Sequence, residues 1–299
     1  MPRPAFLPLL ALMSVGAARP ATAQPTVPAL KGQLLDANTR QPVPYASLTL
    51  PNEFGWTLTD ARGHFELAAP LKPASDTLRV ECPGYVSRPV VLVSRRLTDS
   101  VLTLETAPPV LKNPGPVGGK VSLKQLGSLA KRPGEGLIQG STGSQYALLM
   151  EPSPKHRPGV IRTVSFYIGE GGRPKESFRV RIYRADGPHR SPGTNLLSQN
   201  LVVAAPGGGQ WFTVDISPHV VEAPRDGFFV AMEWVVAHER TPEEDHYLPP
   251  AQVLRPTFEF RDSKTWTFTV GKGWNLLPLK NAEFRAYNAM IRAEIEELE

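Results

Sequence analysis

Apolar residues recur at every second position along much of this chain, the period at which the side chains of a β-strand reach one face. Ala46, Leu48 and Leu50 form one such set, Phe65 and Leu67 another, and Leu78, Val80 and Cys82 a third. Beyond residue 120 the sets lengthen. Val164, Phe166 and Ile168 share a face, as do Phe212, Val214 and Ile216, and Trp266, Phe268 and Val270. In SFRVRIYR, residues 177–184, Phe178, Val180 and Ile182 take one face while Arg179, Arg181 and Tyr183 take the other. The run GFFVAMEWVV, residues 227–236, is apolar on nearly both parities, as expected of a central strand covered on two sides. Two segments have helical character. SLKQLGSLAKR, residues 122–132, can form a short helix, which Gly127 weakens by about 1 kcal/mol. The tail is rich in helix formers, yet Tyr287, Ala289, Ile291, Ala293 and Ile295 alternate strictly, which favours a closing strand.

Turn chemistry punctuates these runs. In TLTDARGHFEL, residues 57–67, the order strand, Asp-Ala-Arg-Gly, strand reads as a hairpin. Asp60 can accept bonds from backbone amides inside that turn, and Gly63 can take the positive φ that a side chain opposes. PGGGQ, residues 206–210, reads as a second hairpin turn, before Trp211. ETAPPVLKNPGPVGG, residues 105–119, carries repeated prolines that deny the backbone both helix and ladder bonds, and reads as a linker. The pattern therefore predicts an all-β protein: a small sandwich over residues 30–104, the linker, and a larger jelly-roll-like sandwich over 120–299.

Composition adds a compartment. The first 23 residues carry Arg3, an apolar stretch from Phe6 to Val15 and the small-x-small triplet Ala21-Thr22-Ala23, which together read as a signal peptide. Export to the periplasm or outer surface is expected. Later in the chain no run of about 18 consecutive apolar residues suggests an integral membrane segment. The formal charge of +5 falls to about +3 without Arg3 and Arg19, a balance that does not argue for nucleic acid. Cys82 is the single cysteine, so no intramolecular disulfide is expected, and its parity with Leu78 and Val80 makes it a buried apolar residue rather than a nucleophile.

The first β-region resembles the carboxypeptidase regulatory-like domain, which is a transthyretin-like sandwich. The resemblance rests on Gly32 and Asp36 around the first strand, then Pro42, Pro44 and Ala46, the Thr-Asp-x-x-Gly-x-Phe run from Thr59 to Phe65, and the pair Gly84-Tyr85. It implies that Asp60 and Gly63 are structural, fixing a turn that sends Phe65 and Leu67 into the core. It implies no enzyme, because in metallocarboxypeptidases the zinc site belongs to a separate α/β domain that no stretch here resembles. The layout also resembles bacterial envelope proteins in which this domain precedes a second β-domain.

Candidate chemistry is sparse. HERTPEEDHY, residues 238–247, gathers His238, Glu239, Glu243, Glu244, Asp245 and His246, but its spacing fits neither a His-Glu-x-x-His helix nor an EF-hand loop, and a solvated loop is expected. QGSTGSQ does not supply a nucleophile elbow. No cofactor or metal is expected. For binding, Tyr167, Tyr183 and Trp211 stand on outward parities where rings can stack on sugars or cover a neighbouring loop, and Arg179 and Arg181 can meet anionic groups or protect a sheet from edge pairing. The expectation is a non-enzymatic binding or scaffolding module whose partner is an envelope glycan or envelope protein. An accessory protein of a secreted peptidase or glycan hydrolase is the first alternative, and a metal-dependent enzyme using the 238–246 loop the second.

Overall fold

The computed structural model describes residues 29–50, 55–68, 77–93, 97, 100–108, 120–152, 159–235, 251–278, 280–281 and 283–298. Seven strands form the first β-unit: β1 (Ala29–Asp36), β2 (Ser47–Thr49), β3 (Trp56–Leu58), β4 (His64–Ala68), β5 (Thr77–Glu81), β6 (Arg88–Val91) and β7 (Val101–Leu104). They make a three-stranded sheet of order β4-β1-β7 and a four-stranded sheet of order β3-β2-β5-β6. Between them lies a core that includes Leu34, Leu48, Phe65, Leu78, Val80 and Leu104, with Cys82 at its margin. The alternation of 78, 80 and 82 thus does what the pattern expects.

The turn at residues 60–63 corrects the hairpin reading. β3 pairs with β2, while β4 pairs with β1 in the other sheet. The chain therefore arches from one sheet to the next. The corner is closed by backbone bonds from Asp60 to His64 and from Gly63 to Asp60, and the Asp60 carboxylate accepts the Arg62 and His64 amides at 2.8 Å each. Gly63 sits at φ 75°, where a Cβ would lie 2.5 Å from the Leu34 carbonyl oxygen. Just before the corner, buried Thr59 donates its hydroxyl to Val43 O and accepts the Ala46 amide, tying the arch to the segment ahead of β2. A hairpin and an arch share local turn chemistry; the ladder partners distinguish them.

The second β-unit begins with β8 (Val121–Gly127), β9 (Gln145–Met150), β10 (Gly159–Gly172), β11 (Ser177–Arg184) and β12 (Val202–Ala204). It continues with β13 (Gln210–Asp215), β14 (Val221–Ala223), β15 (Phe228–Trp234), β16 (Gln252–Leu254) and β17 (Pro256–Thr257). The last four strands are β18 (Thr265–Thr269), β19 (Gly273–Leu276), β20 (Asn288–Ala289) and β21 (Ile291–Leu298). One sheet runs β13-β10-β21-β8, with β14 and β16 also paired to β10; the facing sheet runs β12-β11-β15-β9-β18-β19. β17 and β20 form a two-stranded pair. Phe166 of the first sheet meets Phe178 of the second edge to face at 5.2 Å, and burial of each ring contributes about 2–3 kcal/mol. β15 is buried along its whole length between β11 and β9, as its unbroken apolar run requires. The tail is a strand: β21 lies between β10 and β8.

Two further expectations change. Residues 121–127 form strand β8 rather than a helix, because β21 supplies a full antiparallel partner and Gly127 takes φ 90°, outside helical space. Residues 205–209 form no hairpin, since β12 belongs to one sheet and β13 to the other. This is a second sheet-to-sheet arch, fastened by the Gly209 amide on Ile168 O. Of the linker reading, residues 105–108 lie against the first unit, where Thr106 bridges to Tyr85 and the Ala107 amide reaches Gly84 O. Residues 109–119, the signal-like 1–23 and the 238–246 loop lie outside the described residues. Among those described, the fold is all-β with no α-helix, and no helix is long and apolar enough to cross a membrane.

Candidate functional site

The outward parity of β11 carries Arg179, Arg181 and Tyr183, and this face meets the first β-unit. Arg179 donates to the Tyr45 carbonyl and to Asn200 Oδ1, and Asn200 in turn donates to Pro44 O at 3.0 Å. Trp56 of β3 reaches across to Gly143, where a Cβ would fall 2.8 Å from its ring. Between these contacts opens a cleft of about 590 Å³. Trp56, Glu81, Cys82, Tyr85 and Ser87 line it from the first unit, and Gln145, Arg179, Arg181, Glu233 and Phe268 from the second.

At the floor of the cleft, two guanidiniums share one carboxylate. Glu233 Oε1 accepts from Arg179 at 2.8 Å, both side chains being nearly fully buried. Its Oε2 has no hydrogen-bond partner and lies 3.8 Å from Arg181 Nε, too far for a bond. Arg181 instead donates Nε to the Tyr183 hydroxyl at 2.8 Å, and that hydroxyl donates to Gln145 Oε1 at 2.7 Å. Burial works against the Arg181 charge, but Tyr183 and Glu233 outweigh it and hold the group protonated. Its side chain is 16 % exposed and lines the cleft. Glu81, at the rim, bonds Arg79 at 2.7 Å and Ser87 at 3.2 Å. The floor thus keeps one positive charge in excess. At an effective dielectric of ~20, an anion about 4 Å from such a cation gains about 4 kcal/mol, against about 1 in bulk water.

The Cys82 thiol is pushed up to about 11 by burial, only partly offset by Arg179 and Arg181, and stays protonated at neutral pH. Tyr85 is pushed up to about 12 by burial and by the neighbouring Asp36. The cleft offers hydrogen-bond donors, aromatic surface and a fixed cation, a set suited to holding a ligand. Among the described residues no three His, Cys, Asp or Glu side chains group as a metal site would require.

The five residues singled out for binding do not form one surface. Arg181 faces the cleft. Arg179 is consumed by Glu233, Asn200 and Tyr45, so it joins the two units and has little left to offer a ligand. Tyr183 is buried, with Trp274 of β19 edge-on at 5.6 Å. β19 stands four strand spacings from β11 in sheet order, about 19 Å in a flat sheet, so the sheet curls and brings its last hairpin over Tyr183. Tyr167 and Trp211 are cross-strand neighbours on the other sheet, with rings 5.5 Å apart. Arg292 of β21 stacks on Trp211 at 4.0 Å, and Tyr167 donates its hydroxyl to Gly209 O and borders a smaller pocket of about 350 Å³ with Glu170 and Arg255.

Glu233, Gln145 and Trp56 went unremarked in the sequence. For Glu233 a signal existed: it is the only charged residue within the run 227–236, and a carboxylate in a strand buried on both faces demands a cation from a neighbouring strand. No protein-family model matches the chain, and no curated protein matches it.

Proposed function

We propose that this protein is an exported, non-enzymatic binding or scaffolding module of the bacterial cell envelope, acting in the periplasm or at the outer surface, with an envelope glycan or protein as partner. The observation that carries this reading is the cleft between the two β-units, floored by two guanidiniums against one buried carboxylate and lined by aromatic and polar side chains. Assignment of the first unit to the carboxypeptidase regulatory-like family is part of the proposal. It is supported by the roles of the residues that carry the resemblance: Asp36 accepts the Asn38 and Thr39 amides, Asp60 and Gly63 close the arch, and Phe65 and Leu67 enter the core.

The mechanism is display from a rigid frame, in which two sandwiches hold a preformed cleft and no covalent step is needed. Co-sedimentation of the purified protein with envelope fractions and insoluble polysaccharides, at low and high salt, tests it. Binding weakened by salt is expected from the Arg181 floor. Failure to sediment with any fraction would overturn envelope binding, and co-purification of a hydrolase would replace it with the accessory reading.

A further inference from the structure

We infer that the cleft between the two β-units is a site for an acidic saccharide, a sugar ring bearing one carboxylate of the uronic-acid kind; this rests on the binding-module reading above. Charge sets the first constraint. Arg179 and Arg181 stand against the single Glu233 carboxylate, Glu81 is held by Arg79, and Arg181, 3.8 Å from Glu233 Oε2, has Nε on Tyr183 and its terminal nitrogens without a hydrogen-bond partner among the described residues. One excess positive charge matches a monoanion such as a carboxylate. A phosphate dianion would remain half neutralised.

The walls set the second constraint. Half-buried Trp56 and Phe268 contribute ring surface to the lining, one from each β-unit. The same lining carries short polar side chains, Ser47, Thr49, Asn195 and Ser198. Apolar ring faces with interleaved hydroxyl and amide groups complement a sugar, whose C–H face stacks on an aromatic plane while its hydroxyls hydrogen-bond laterally. A fatty acid would leave those polar groups unpaired. The size, about 590 Å³, accommodates one or two sugar rings.

The rigidity of the site supports the same reading. Arg181 is oriented by the chain Arg181–Tyr183–Gln145, with Tyr183 clamped by Trp274, so the guanidinium needs little reorganisation to meet a carboxylate.

The test is calorimetric titration of the full protein with a glucuronic-acid disaccharide, its neutral glucose counterpart, acetate, and a short peptide with a free C-terminus. The acidic disaccharide is expected to bind at least about tenfold more tightly than each of the others, with the preference lost in Arg181→Gln. Trp56→Phe should weaken both disaccharides alike. If Arg181→Gln does not fold, titration of the unaltered protein at high salt should weaken the acidic disaccharide and spare the neutral one, and equal loss of both would overturn the charge assignment. Equal affinity for the two disaccharides, or equal affinity for acetate or the peptide, would overturn the saccharide assignment. Loss of disaccharide binding with envelope sedimentation retained overturns this inference alone; loss of both overturns the binding-module reading as well.

Discussion

Arg181 on β11 and Arg292 on β21 both stand on outward parities of the larger sandwich, each beside an aromatic ring, and they end in different situations. On the β11 face the first unit docks and a curled hairpin covers what remains, so Arg179 and Tyr183 become interior groups and Arg181 becomes the floor of a cleft. On the β10–β21 face the residues contact one another: Arg292 lies on Trp211, its Nε buried without a hydrogen-bond partner, and Arg162 forms a two-bond pair with Glu296 at 2.7 and 2.8 Å. The same residue types at the same period thus make a joint on one side and a self-contained surface on the other. What separates them is the covering, which removes water and so multiplies every charge interaction beneath it.

That difference has a measurable hierarchy. Glu233→Ala should cause the largest loss, about 3–5 kcal/mol in urea unfolding, because it strands buried Arg179 without a counter-charge and loosens the joint to Tyr45. A loss below about 1 kcal/mol would mean that the β11 face is as open as its opposite. Trp274→Ala should cost about 2 kcal/mol by uncovering Tyr183, and should increase quenching of tyrosine emission by acrylamide. On the β10–β21 face, Arg292→Ala removes a stacked cation from Trp211; the expected readout is a changed tryptophan emission maximum with a loss of stability of about 1 kcal/mol or less.

Acid titration gives the smallest effect. The hydrogen bonds from Arg162 hold the Glu296 carboxyl below its usual range. Its stabilising contribution is therefore complete above the ordinary glutamate pKa, about 4.3, and is lost as pH falls through the depressed folded value. The difference in melting temperature between the protein and Glu296→Gln should be greatest near neutral pH and shrink below about pH 4. A gap independent of pH would remove the pair from the account of that face.

Much of this was legible along the chain, and the reason is local. Period-two alternation marks the face of each side chain, so Val164 and Phe166 towards the core, Arg179 and Arg181 on the opposite face of their strand from Phe178 and Val180, and the apolar run of β15 all follow from sterics within a few residues. Turn chemistry is equally local, and Asp60 and Gly63 behave as their types require. Pairing is not local. Residues 57–67 and 204–214 each carry strand, glycine turn, strand, and in both the flanking strands belong to different sheets. The helical reading of 122–132 yielded to a partner strand roughly 170 residues away, which no short-range preference encodes.

The sequence by itself determined the all-β class, the inward and outward parities and the special turns, because backbone sterics and burial act on neighbouring residues and leave their imprint in spacing. Tertiary structure alone decided which outward residues stay outward. Whether an arginine at an outward position becomes a buried joint, a cleft floor or a stacked surface group depends on what packs over it. For Arg179 and Arg181 that covering came from the first β-unit and from β19, brought there by sheet order, curl and docking between segments far apart in the chain.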